Sequence, residues 1–154
     1  MGRRDESRLV IAAPAASVYR ALVDPADVVR WLPPAGMIGE IDSWDCRPGG
    51  AYRMTLRYST AGHGKSTAGS DVVSGEFVEL VPDERMVQTA IFDSDDPIFA
   101  GTMVMSWLLR PAGDDATEVT VRADDVPAGI SPEDHAAGLA SSLANLADFL
   151  RTQT

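Results

Sequence analysis

Histidine is the side chain whose ordinary titration falls near neutral pH, so His135 is the first residue to weigh for proton transfer. It stands four positions before Leu139, which puts both on one face if the C-terminal segment is helical. There its imidazole could hydrogen-bond a ligand or act as acid or base; a surface or capping histidine is the alternative. Glu76 and Glu79 interrupt an otherwise apolar stretch at a spacing that sets them on opposite faces of a strand. One of them would then point inward. A buried carboxylate needs a partner, such as Arg53 or His135, and with one it is a candidate acid or base. His135 and Glu76 are therefore the catalytic candidates. Gln88 alternates with Met86, Ala90 and Phe92 on the face expected to be internal, where it could orient a bound molecule.

The rest of the expected site is apolar. Tyr52, Met54, Leu56 and Tyr58 share one strand face, against Arg53, Thr55 and Arg57 on the other. Met103, Met105, Trp107 and Leu109 share another. Methionine fills irregular space and adapts to different shapes, so such a wall suits a non-polar ligand. For each residue alone, simple core packing is the competing reading. The expected ligand-binding set is Trp31; Tyr52, Met54 and Leu56; Gln88 and Phe92; Met103, Met105 and Trp107; and His135, Leu139 and Leu143.

Other motifs fail on their details. Gly64-Lys65-Ser66 resembles the end of a phosphate-binding loop, but Ser59 stands where the first glycine belongs. Asp93-Ser94-Asp95-Asp96 hints at calcium, yet the loop glycine is missing and the twelfth position is Val104. Two histidines, His63 and His135, and one cysteine, Cys46, argue against zinc, so no metal and no cofactor is expected. Cys46 beside Arg47 reads as an inert loop thiol. A net charge of −10 argues against nucleic acid and anionic membrane surfaces as partners. No apolar run approaches the roughly 18 residues of a membrane span, and the N-terminus lacks a signal core. With a single cysteine excluding an internal disulfide, a cytoplasmic location is expected. A homodimer is compatible with all of this.

The elements that must position these residues follow from turns and periodicity. Arg8 to Ala12 reads as a first strand, Pro14 opens a helix, and Asp24-Pro25 breaks it before a second short helix ending at Trp31. Strands are expected over Met37 to Asp45, Ala51 to Tyr58, Val72 to Val81, Arg85 to Phe92, Gly101 to Arg110 and Thr117 to Asp124. Ser131-Pro132-Glu133-Asp134 starts a long helix to Arg151, with a cap, a proline at the first position and acids at the positive end. Leu139, Leu143, Leu146 and Leu150 form its apolar stripe. At 154 residues the chain reads as a single domain, 1–154 with a core of about 8–151. The expected class is α+β. A curved antiparallel sheet of about seven strands grips the long C-terminal helix, and two short helices fall between strands one and two.

This helix-grip layout resembles the START-like, or SRPBCC, superfamily, in particular the branch related to activators of the heat-shock-protein-90 ATPase and to polyketide cyclases. The resemblance rests on Ile11-Ala12-Ala13-Pro14 leading into Val18-Tyr19-Arg20-Ala21-Leu22, on Trp31, and on Arg47-Pro48-Gly49-Gly50-Ala51-Tyr52. It continues in Gly75-Glu76-Phe77-Val78-Glu79-Leu80-Val81-Pro82 and in Gly138-Leu139, Ser142-Leu143 and Asn145-Leu146. Many relatives carry a tryptophan after the helix glycine; Leu139 in its place should change the cavity's shape. The resemblance implies a fold and a cavity, not a reaction. Three functions stay open: a binder of a small apolar or aromatic molecule, a cyclase- or hydrolase-like enzyme, and a co-chaperone-like interaction module. The apolar wall favours the binder.

Overall fold

The computed structural model describes residues 3–33, 37–58, 70–93 and 96–152. The chain runs β1 (Arg4–Ile11), α1 (Ala15–Val23), α2 (Pro25–Trp31), β2 (Met37–Trp44), β3 (Ala51–Tyr58), β4 (Ser70–Val81) and β5 (Arg85–Phe92). A 3-10 turn (Pro97–Phe99) then leads to β6 (Met103–Pro111), β7 (Thr117–Asp124) and α3 (Pro132–Arg151). His63 and Gly64-Lys65-Ser66 lie outside the described residues, as do Ser94, Asp95 and the side chain of Tyr58. The strands form one antiparallel seven-stranded sheet in the order β1-β7-β6-β5-β4-β3-β2. Strands β2 to β7 each pair with the next in the chain, and β7 pairs in turn with β1 at the far edge. The helices α1 and α2 carry the chain from the β1 edge to the β2 edge. This is the expected α+β helix-grip fold.

Local chemistry explains where α3 begins and how it is held. The Ser131 hydroxyl accepts the Asp134 amide at 3.0 Å, Pro132 takes the first turn, and Glu133 and Asp134 face the positive end. Leu139, Leu143, Leu146 and Leu150 are all buried. Ser142 Oγ donates to the Leu32 carbonyl at 3.0 Å and Asn145 Nδ2 to that of Pro33 at 3.1 Å, which fastens the helix to the end of α2. The neighbours of α3 are chiefly β1, with β7, α1 and α2. The helix therefore lies over the β1 side of the sheet, and the β3–β6 portion stands away from it.

Two strands depart from the expected pattern. The first starts at Arg4 rather than Arg8, because its leading residues are charged and give no apolar signal. Cross-strand pairs hold it instead: Arg4 with Asp124 at 2.6 Å and Glu6 with Arg122 at 2.9 Å. On β4 a bulge between Phe77 and Glu79 resets the alternation. Phe77 points inward with 0% exposure and Val78 outward. Leu80, not Glu79, takes the next inward place opposite Met86.

The turn Arg47-Pro48-Gly49-Gly50 has its own reason for two glycines. Gly49 sits at φ +85°, and a side chain on Gly50 would meet the Asp45 carbonyl oxygen at 1.9 Å. The turn is also stitched to β4: the Gly49 amide donates to Phe77 O and the Phe77 amide to Gly50 O, both at 2.8 Å.

Candidate functional site

The gap between α3 and the far half of the sheet is a cavity of about 550 Å³. On the sheet side, β3 contributes Tyr52, Met54 and Leu56, β5 Met86, Gln88, Ala90 and Phe92, and β6 Met103, Met105 and Trp107. Trp31 closes the α2 end and stacks edge-to-face on Trp107, ring centres 5.3 Å apart. From α3 come Asp134, His135, Gly138, Leu139 and Ser142. The space where a Gly138 side chain would stand is open. Strand alternation thus brings together the residues singled out on β3, β5 and β6 with Trp31, His135 and Leu139.

Several polar groups in this wall are committed to backbone carbonyls. The Trp31 indole N–H donates to Ala21 O at 2.9 Å, and that of Trp44 to Val23 O at 2.9 Å. The Tyr52 hydroxyl donates to Thr89 O on β5, two strands away. It passes over its cross-strand partner Gly75, where a side chain would meet that same carbonyl oxygen at 2.0 Å. The missing side chain lets β5 fold over β4, and the aromatic ring covers the gap. The Glu76 amide, also off the regular ladder, donates to Thr89 Oγ1 at 2.9 Å.

Burial pushes the Tyr52 phenol up to about 12, against a smaller opposing pull from a hydrogen bond with Gln88. An unfolded phenol ionises near pH 10, so the unfolded state loses its proton first. The stability held by the neutral buried phenol is intact below about pH 10 and is lost as pH rises toward 12. Absorbance titration of the three tyrosines should show one ionising last, and Tyr52→Phe should remove that step and soften the fall in stability over the same range.

His135 carries a partner that strand prediction missed. Its Nδ1 lies 2.7 Å from Asp5 Oδ2, and the side chains are only 13% and 9% exposed. Arg3 Nη2 holds the same carboxylate oxygen at 3.0 Å. Asp71, 2% exposed, is a second acid in the wall, one step before the strand was expected to begin; extending the Val73 alternation backwards would have found it. Phe99, on the 3-10 turn capped by Asp96, also reaches the cavity.

Four expectations are corrected. Glu76 is exposed and faces away from the cavity, because its neighbour Phe77 takes the inward place. Glu79 is turned outward by the bulge and pairs with Arg85, so neither glutamate reaches the site. Leu143, 1% exposed, packs in the core and is absent from the cavity wall, which takes the helix face offset toward Gly138 and Ser142. Arg53 is on the outer face beside Asp42 and Asp93. Burial and then the charge of Asp45 push the Cys46 thiol up, away from reactivity. Among the described residues no three metal-ligating side chains converge, and no helix is long and apolar enough to cross a membrane.

A curved antiparallel sheet set against a C-terminal helix, with an apolar cavity between them, defines a helix-grip protein. The chain belongs to the family of the activator of Hsp90 ATPase homolog 1-like protein, whose model matches residues 12–151, within the START-like superfamily. Protein CV1439 from Chromobacterium violaceum is 31% identical over 96% of each chain, with a TM-score of 0.84. Protein MLL2253 from Mesorhizobium loti shares the fold at 18% identity, 99% coverage of each chain and a TM-score of 0.75. DynU16, a protein in the dynemicin biosynthetic locus, shares it at 22% identity and a TM-score of 0.69; the match takes in 98% of this chain and 48% of that one. No curated protein matches the sequence.

Proposed function

We propose that this protein binds one small, uncharged, largely apolar or aromatic molecule between the sheet and α3. The observation that carries this reading is the cavity itself: about 550 Å³, within the usual range for ligand sites, and lined mainly by Met, Trp, Phe and Leu side chains. The family fold generally serves ligand binding, which agrees with it. The described wall carries no lysine or arginine that could pair with an anionic ligand. Adaptable methionines from β2, β3, β5 and β6 suit an aromatic ring system better than a polar metabolite.

The neutral fluorophore N-phenyl-1-naphthylamine tests this. It should bind with one-to-one stoichiometry, and a carboxylated analogue of similar shape should bind more weakly. Met105→Trp adds bulk on the cavity side of β6 and should lower the affinity at least about tenfold, with melting temperature nearly unchanged because the larger side chain extends into the cavity rather than into packed core. Binding of equal strength to both proteins would remove the cavity as the binding site.

A further inference from the structure

We propose that Asp5 and His135 form a general-base dyad that takes a proton from a carbon or oxygen acid bound in the cavity. The inference rests on the ligand-binding reading and adds a reaction to it. The two side chains come from β1 and α3, 130 positions apart, and meet at 2.7 Å. Asp5 accepts the Nδ1 hydrogen, which fixes the ring orientation and the tautomer. His135 lines the cavity, and with Nδ1 engaged the acceptor nitrogen of the neutral imidazole is Nε2. Arg3, on the same Asp5 oxygen at 3.0 Å, holds the carboxylate in place. The ring's backbone is equally fixed, since the His135 amide donates to Ser131 O at 2.9 Å in the first turn of α3.

Asp134 is the chain neighbour of His135 on α3 and Asp71 lines the same cavity from β4; on β7, Asp124 is engaged by Arg4. A structural tie between β1 and α3 would be made as well by apolar packing, which the leucine stripe already supplies. A nearly buried acid–imidazole pair beside an apolar cavity instead has the parts of a base catalyst: an acceptor nitrogen, an orienting carboxylate and an apolar wall. Asp5 is here a positioning residue, and His135 is the group that meets the bound molecule.

The probe is 5-nitrobenzisoxazole, a flat aromatic carbon acid. His135 Nε2 takes the hydrogen on C3, and the C–H electron pair becomes the second π bond of a nitrile. The N–O bond breaks with its electrons leaving on oxygen, which yields the coloured 2-cyano-4-nitrophenolate. Nε2 then returns its proton to water. The protein should catalyse this with saturation, faster than the same concentration of free imidazole. His135→Gln, which can still donate to Asp5, should lower kcat at least about 100-fold with KM within about twofold. In His135→Ala, added imidazole should restore part of the rate, which no structural role predicts. Asp5→Asn should lower kcat at least about tenfold at similar KM.

Displacement of N-phenyl-1-naphthylamine by 5-nitrobenzisoxazole without turnover overturns the dyad and leaves the binding function standing. Full activity in folded His135→Gln also overturns it. Failure of both compounds to bind overturns the ligand cavity, and the dyad with it.

Discussion

Leu143→Asp is expected to yield no cooperatively folded protein. Leu143 is 1% exposed, in the middle of the stripe that runs from Leu139 to Leu150. It belongs to the buried apolar cluster, so the new carboxylate would be placed among hydrophobic side chains. An unpaired buried charge costs several kcal/mol, and the lost leucine contacts add about 2–5 kcal/mol. Domains of this size hold only about 5–15 kcal/mol in total. The variant should accumulate in the insoluble fraction or show no sigmoidal unfolding by circular dichroism. Because Leu143 stands behind the cavity wall, Leu143→Met should be mild, about 1 kcal/mol, and leave probe binding intact. A soluble Leu143→Asp protein with a sharp melt would mean that α3 does not close the core.

Gly75→Ala is expected to be strongly destabilising for a change of one methyl group. The added methyl group would be placed 2.0 Å from the Thr89 carbonyl oxygen and 2.7 Å from its carbon, so backbone, not a flexible side chain, must move. Moving β5 away also breaks the Tyr52 hydroxyl bond to that oxygen and the Glu76 amide bond to Thr89 Oγ1. Overpacking at about 1–3 kcal/mol and two hydrogen bonds at about 1 kcal/mol each give an expected loss of about 3–5 kcal/mol in urea unfolding. The same change at Gly138, where the added methyl meets nothing within 4 Å, should be neutral or stabilising, since alanine favours a helix. Equal stability of the Gly75 and Gly138 variants would contradict the close crossing of β5 over β4.

What the sequence made legible was whatever is encoded locally. The cap at Ser131, the leucine spacing of α3 and the hairpin turns each depend on a few neighbouring residues, and the structure places them as read. Where distant parts decide, the reading stopped short. The pairing of Asp5 with His135 depends on α3 packing over β1 at the sheet edge, and nothing near either residue announces it. Hydrophobic alternation could not register the charged start of β1, which is held by cross-strand ion pairs. The bulge after Phe77 shifted Glu79 outward against the simple period of two, and the offset between the leucine stripe and the cavity face misplaced Leu143. Tyr52, Met54 and Leu56 of β3 and Met103, Met105 and Trp107 of β6 needed only an unbroken alternation, and these six line the cavity, whereas Leu109 packs in the core.

The central claim is that an apolar molecule enters between sheet and helix. The most direct measurement is methyl NMR of protein labelled at methionine and isoleucine, titrated with N-phenyl-1-naphthylamine. The methyl groups of Met54, Met86, Met103 and Met105 line the cavity, whereas Ile38 and Ile91 are 61% and 43% exposed on the outside. The four methionine signals should shift together and saturate at one equivalent, while the signals of Ile38 and Ile91 stay in place. Shifts confined to the outer isoleucines, with the four methionines unmoved while the probe is bound, would contradict the account.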